Sequence, residues 1–267
     1  MEHDSIAGKD IVLLVSDARM RYAGELLSSW GARVTSIGSA QVCVEEAPVR
    51  LRDADILLLP VRGTGDGTVL FDDGCVDLDA AFSAMSRDAI VWSGVRSPYE
   101  ESVFPGYRCY QEYEAYGEEI AILTAQGVLW LLLQETPDEL AAYSYDVIGN
   151  GRCGTHISKL LMRLGLSVRL IARNGAPGTM SINTWRKEPP SDVVINTVPA
   201  TVIDMVCAGH WEREVVLLDI ASGAIGETEE VKALPHVQFI AAEPLPGRVA
   251  PRAAGRLLAE LVALEGL

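Results

Sequence analysis

Cationic charge, histidine and paired cysteine are all scarce in this chain of 267 residues, and each shortage closes off a class of function. Lys and Arg number 22 against 37 Asp and Glu, a formal net charge of −15. No basic stretch offsets that excess, so the clustered cations that neutralise nucleic-acid phosphates are missing. The same field repels anions at long range, and any anionic ligand must therefore meet a local group of Arg. The four histidines (His3, His156, His210, His236) and five cysteines (Cys43, Cys75, Cys109, Cys153, Cys207) show no metal-ligand spacing, and no Cys-x-x-Cys pair occurs. An odd, dispersed set of cysteines fits reduced thiols in the cytoplasm better than a disulfide framework. The start, Met1-Glu2-His3-Asp4, lacks the charged-then-apolar layout of a signal peptide. The longest nearly unbroken apolar stretch, 120–133, is interrupted by Thr124, Gln126 and Gly127. It is shorter than a bilayer-crossing helix and reads as a buried one.

What is present is an ordinary globular balance, 49% hydrophobic and 22% charged residues, in a length that suits one large or two modest domains. Short apolar runs at 11–15, 33–37, 55–61 and 89–92 alternate with helical spacing at 19–30 and 78–85. After a helix at 118–134, broken by Thr136-Pro137-Asp138, further runs lie at 145–148, 168–173, 192–196, 215–219 and 237–241, and a last helix at 251–264. Strands alternating with helices predict α/β architecture with two Rossmann- or flavodoxin-like parallel sheets. The first domain is expected over 1–120 and the second over 121–251 with the linking helix, while 252–267 returns to pack on the first.

The most specific local signal is Gly149-Asn150-Gly151-Arg152-Cys153-Gly154, preceded by a strand and followed by an amphipathic run and a second strand. That order is the dinucleotide-binding one: Gly149 for a tight turn, Gly151 for backbone approach to a pyrophosphate, Gly154 for close helix packing. The N–H groups at the helix start face the phosphates. Cys153, beside that helix start, reads as packing under the loop. At the end of the next strand an acidic residue would accept hydrogen bonds from the ribose 2′-hydroxyl. Here Arg173 stands nineteen residues after Gly154, followed by Asn174, and a guanidinium forks onto a 2′-phosphate. NADP is therefore expected rather than NAD. Asn196, Thr197 and Pro199 close the next strand and Asp219, Ala221 and Ser222 the one after, either as contacts to the nicotinamide half or simply as turns.

In the first half, Asp17-Ala18-Arg19, Arg62-Gly63-Thr64 and Ser93-Gly94-Val95-Arg96 follow strands, so three Arg and two hydroxyls fall on one sheet edge. The 63–67 loop lacks the Lys-Ser/Thr of a P-loop.

With these residues assembled, the chain resembles the A-type subunits of bacterial dipicolinate synthase, a sporulation enzyme, over nearly its whole length. The resemblance rests on the glycine loop, Ala172-Arg173, the 195–199 stretch, Leu218-Asp219-Ile220-Ala221-Ser222 and above all Leu245-Pro246-Gly247-Arg248-Val249-Ala250-Pro251-Arg252-Ala253-Ala254-Gly255. It implies two domains arranged as in D-2-hydroxyacid dehydrogenases. It also implies oxidation of a dihydrodipicolinate, formed from 4-hydroxy-tetrahydrodipicolinate, to dipicolinate with NADP, and, as partner, a flavoprotein-like B-type subunit; a homo-oligomer is expected. A dianionic ring needs paired cations, and Arg19, Arg96, Arg248 and Arg252 offer them, with Asp17 and Ser93 beside them as substrate-side residues. No catalytic acid or base is assigned, since aromatisation is downhill and orientation matters more.

The chain departs from the family at Val15-Ser16 in place of Gly-Gly, at Arg62 in place of serine, at 123–127 in place of Pro-Thr-x-Glu-Gly, and after Ser222, where Pro-Gly-Gly is missing. These departures gather on the substrate side. They keep two alternatives open: a D-2-hydroxyacid dehydrogenase acting on another small acid, and a non-catalytic NADP-binding partner protein.

Overall fold

The computed structural model describes residues 4–38, 47–61, 68–71, 74–221, 228–242 and 244–265. The chain divides into two compact units, Met1–Ile120 with Pro246–Leu267, and Ala121–Leu245.

The first unit contains β1 (Asp10–Leu14), α1 (Ala18–Ser29), β2 (Arg33–Ile37), α2 (Ala47–Leu51), β3 (Ile56–Leu58), a hairpin of β4 (Thr68–Phe71) and β5 (Gly74–Asp77), α3 (Leu78–Ala84), β6 (Ile90–Ser93), α4 (Pro98–Val103) and β7 (Tyr107–Cys109). Five strands form a parallel sheet ordered β2-β1-β3-β6-β7. Because successive side chains of a strand face opposite ways, the apolar run in β1 serves two cores. Ile11 and Leu13 pack with Met20, Ala23 and Leu27 of α1. Val12 and Leu14 pack with Leu51, Leu78 and Phe82.

The long helix α5 (Glu114–Glu135) carries the boundary between the units. By length and composition it is the one helix among the described residues apolar enough to cross a bilayer. Its Ala125, Val128, Leu131 and Leu132 are packed in a protein core instead.

The second unit contains β8 (Ser144–Ile148), α6 (Arg152–Arg163), β9 (Ser167–Ala172), β10 (Met180–Ser181), α7 (Ile182–Trp185), β11 (Val193–Asn196), α8 (Met205–Ala208), β12 (Val215–Asp219), α9 (Thr228–Lys232) and β13 (Val237–Ala241). Its sheet is parallel throughout, in the order β10-β9-β8-β11-β12-β13. The turn α10 (Leu245–Val249) leads to α11 (Pro251–Glu265), whose Leu258, Ala259 and Val262 complete the core of the first unit against α1.

The α/β class and both parallel sheets are as expected from the sequence. Three details differ. The run at 55–61 is a strand only over Ile56–Leu58, since Pro60 cannot donate to a ladder. The hairpin β4–β5 and the edge strand β7 have no counterpart in the sequence pattern, and α5 starts four residues before Glu118, at Glu114. The expectations for Arg62, the 63–67 loop and Ser222 fall outside the described residues.

Candidate functional site

Order reversal in the second sheet falls between β8 and β11, the switch point at which ligands of parallel sheets bind. The glycine loop leaves β8 there. Gly149 has φ +106°, a left-handed value that L side chains avoid; a Cβ on it would also lie 2.4 Å from Thr197 Oγ1. A Cβ on Gly154 would lie 1.8 Å from the Gly149 carbonyl oxygen, so helix α6 rests directly on the turn. Around Gly151 the opposite holds: among the described residues, no atom beyond its chain neighbours lies within 4 Å of the Cβ position. As N-cap of α6, Gly151 makes no side-chain cap, and the first helical bond runs from Thr155 N–H to its carbonyl at 2.9 Å. The N–H groups just before that bond have no intrahelical acceptor, an arrangement suited to an anion. Cys153 is half-buried and packs against the core below the loop.

Arg173 and Asn174 follow β9 and are exposed. The chain turns back at once through Thr179 N–H to Ala176 O, 2.9 Å, to lay β10 beside β9. Arg169, within β9, has a different task. With Trp185 and Ser191 it surrounds the fully buried Asp146 carboxylate: Oδ1 accepts from Arg169 Nε at 2.6 Å and Ser191 Oγ at 3.0 Å, and Oδ2 from Arg169 Nη2 at 2.8 Å, Trp185 Nε1 at 2.7 Å and Ser191 N–H at 2.9 Å.

The next two strand ends are tied together. Asn196 Nδ2 donates to Asp219 Oδ1 at 2.9 Å, Ala221 N–H donates to the same oxygen at 3.1 Å, and Asn196 Oδ1 accepts from Val198 N–H at 3.1 Å. Thr197 Oγ1 donates to Ile148 O at 2.8 Å, joining this edge to the glycine loop, while Pro199 is exposed. Burial raises the Asp219 pKa above the ordinary carboxylate range, opposed by the bonds from Asn196 and Ala221. A carboxyl whose folded pKa exceeds its unfolded value holds more protons when folded, so its contribution is present in acid and lost as pH rises through the folded pKa. Asp219→Asn is therefore expected to raise the melting temperature of the ligand-free protein at neutral pH. The gain should vanish below the usual carboxylate range, as scanning calorimetry at both pH values would show.

In the first unit the switch point lies between β1 and β3. Asp17 caps α1 there, and its Oδ2 accepts from Arg19 Nη2 at 2.9 Å. Arg19 is 2% exposed, so its guanidinium faces the interior rather than a ligand. Gly247 packs over the pair, since a Cβ there would lie 2.6 Å from Asp17 Oδ2; the following Arg248 is exposed. Arg252 is also exposed and lies over the Tyr22 ring, 5.7 Å from its centroid. Ser93 is buried and donates to Val95 O at 2.8 Å. Arg96 is forked onto Glu112, at 2.6 and 2.9 Å, and also bonded to Glu101, so a ligand carboxylate there would have to displace two others. The structure thus gathers Asp17, Arg19 and the turn before Arg248, and leaves Arg96 engaged elsewhere. It also brings in Tyr110 and Tyr116, buried beside Arg19, and the Asp146 cluster, none of which a local motif announces.

The fold is that of the D-2-hydroxyacid dehydrogenases: a D-isomer specific member from Xanthobacter autotrophicus Py2, in complex with NADPH and MES, superposes with a TM-score of 0.54 at 14% identity, over 97% of this chain and 96% of that one. Within that class the likeness is much stronger to the A-type polypeptide of dipicolinate synthase. The crystal structure of that protein from Bacillus halodurans matches with a TM-score of 0.86 at 24% identity, over 98% of this chain and all (100%) of that one. Its Bacillus subtilis counterpart is 26% identical over 243 residues, 84% of this chain and 81% of that protein. No protein-family model matches the chain.

Proposed function

We propose that the chain is an NADP-dependent dehydrogenase that oxidises dihydrodipicolinate to dipicolinate, the product for which its Bacillus subtilis relative is named. The observation that carries the reading is the glycine loop, whose one open position, Gly151, lies at the N-terminus of α6. These residues fit a dinucleotide. The loop N–H groups would take its pyrophosphate, Arg173 and Asn174 its 2′-phosphate, and Asn196, Thr197 and Asp219 the amide end. When bound, the nicotinamide supplies the hydride acceptor. Arg248 and Arg252 are the cations of the first unit's C-terminal segment to which we assign the substrate carboxylates. A cytoplasmic location, a B-type partner and self-association belong to the same reading.

The test is to supply NADP with enzymatically generated dihydrodipicolinate and follow NADPH and pyridine absorbance, with and without a B-type partner. Reduction coupled to pyridine formation is the expected result. The ion-paired Arg19 and Arg96 favour a second reading, a non-catalytic NADP-binding partner; nucleotide binding without turnover, even with the partner present, would establish it. Arg173→Ser is expected to weaken NADPH binding by roughly 10- to 150-fold, the loss of a charge-assisted hydrogen bond. NADH binding should be nearly unchanged in the same fluorescence titration.

A further inference from the structure

Asp17 follows β1 at the point where the order of the first sheet reverses, and its carboxylate is held from two sides. Oδ1 accepts from Met20 N–H at 3.3 Å and Oδ2 from Arg19 Nη2 at 2.9 Å. The side chain of Arg19 is 3% exposed, that of Asp17 20%, so the pair has a buried cationic end and a carboxylate end that meets solvent. Behind the guanidinium stand the phenols of Tyr110 and Tyr116, edge to face with ring centroids 5.5 Å apart. Among the described residues, neither phenol oxygen nor Arg19 Nε has a hydrogen-bond partner of good geometry. Three separate segments make room for this group with glycine. A Cβ on Gly94 would lie 1.9 Å from the Val61 carbonyl oxygen and 2.5 Å from the Tyr110 hydroxyl, on Gly247 2.6 Å from Asp17 Oδ2, and on Gly255 2.6 Å from the Arg19 backbone carbonyl oxygen.

Capping α1 requires none of this, since Ser or Asn caps as well. Nor does a carboxylate help to anchor a dianion, which it repels. Turning a dihydropyridine into a pyridine, however, removes a proton as well as a hydride, and the proton needs an acceptor. Resting on the function proposed above, we propose that Asp17 is the proton acceptor of the dehydrogenation and that Arg19 is its positioning residue. One ring C–H bond breaks with its electron pair, which a bound nicotinamide would accept as hydride. At the neighbouring ring atom the bond to hydrogen breaks heterolytically: the proton passes to the Asp17 carboxylate and the electrons become the new ring π bond. The substrate thus loses two electrons as hydride and a proton, and the partly exposed carboxyl returns that proton to water. The charged and titratable groups facing Asp17 are Arg19 of its own helix and the phenols of Tyr110 and Tyr116, with Arg248 next to the Gly247 contact in α10.

The experiment uses the full chain with NADP and dihydrodipicolinate, comparing wild type with Asp17→Asn, Asp17→Ser and Arg19→Lys. Both Asp17 variants keep a cap. Their kcat is expected to fall by roughly 10²- to 10⁴-fold, while dipicolinate, a stable dianionic probe, binds at least as tightly by calorimetry. Arg19→Lys should lower kcat while leaving dipicolinate affinity unchanged; a purely structural role would lower the two together. Titrating dipicolinate in two buffers of different ionisation enthalpy should show proton uptake by the wild type and none by Asp17→Asn. Turnover by Asp17→Asn within about threefold of an active wild type overturns this assignment alone. Loss of turnover and dipicolinate affinity together also overturns it. A wild type that binds NADPH and dipicolinate but never turns over overturns the proposed function, and the proton acceptor with it.

Discussion

Gly151→Ala is expected to leave the melting temperature unchanged and, if the proposed function holds, to weaken NADPH binding, whereas Gly154→Ala should unfold the glycine loop. The two positions differ in what a methyl group would meet. At Gly151 no atom of the described residues beyond its own chain neighbours lies within 4 Å, so the free protein has no reason to notice it. In the proposed function the open face is the one a pyrophosphate approaches, and a methyl forced into a filled contact costs about 1–3 kcal/mol, or roughly 5- to 150-fold in affinity. At Gly154 the methyl would lie 1.8 Å from the Gly149 carbonyl oxygen, and the turn is held to β9 by the bond from Gly149 N–H to Ile171 O at 2.8 Å. A penalty of about 3 kcal/mol or more is expected, roughly 10 °C in the melting of this unit. Thermal melts paired with NADPH fluorescence titrations check both. Equal melting losses in the two variants would mean that the open face of Gly151 is not where the nucleotide lies.

Replacing Asp146 by Ala should cost about 2–4 kcal/mol, mostly from leaving buried Trp185 and Ser191 donors without an acceptor beside a partly exposed Arg169, and lower the melting temperature by roughly 10 °C. Five donor bonds converge on this carboxylate from β9, α7 and the segment before β11. Without it the Trp185 indole N–H, Ser191 N–H and Ser191 Oγ lose their acceptor, and Arg169 keeps only the Pro189 carbonyl at 2.9 Å. The emission of Trp185 reports the change locally. A variant that melts like the wild type would show that the interior repacks around the gap. Nucleotide affinity should fall as well, because Asp146 lies on the strand that ends in the glycine loop.

The parts of this architecture legible in the sequence are those whose physics is local. Strands buried on both faces, such as Ile11 to Leu14 and Val193 to Ile195, read as unbroken apolar runs, and the glycine loop reads because its spacing is fixed by one turn. Strand β7 is not legible because Tyr107-Arg108-Cys109 pairs on one side only, with β6, and has no need of an apolar run. The partners of Arg19 and Asp146 are invisible for another reason. Tyr110 and Tyr116 are some ninety residues from Arg19, and Trp185 and Ser191 about forty from Asp146; only the strand order brings them together. The same holds for Arg96, whose ties to Glu101 and Glu112 depend on the turn that leads into α4 and on the short segment after β7.

Helix α11 has a consequence for biosynthesis. It supplies Leu258, Ala259, Leu261, Val262 and Ala263 to the core that also holds Ile11, Met20 and Leu27, and Ala263 accepts a hydrogen bond from Ser5 at 2.6 Å across 258 residues of chain. A ribosome releasing this polypeptide from its N-terminus therefore completes the second unit first. The earlier-made helix α1 must wait, one apolar face uncovered, until the last fifteen-residue helix emerges. The first unit to be synthesised is the last able to fold. During that interval Met20, Ala23 and Leu27 stay exposed on the nascent chain, and a stop codon before Pro251 would leave them uncovered permanently.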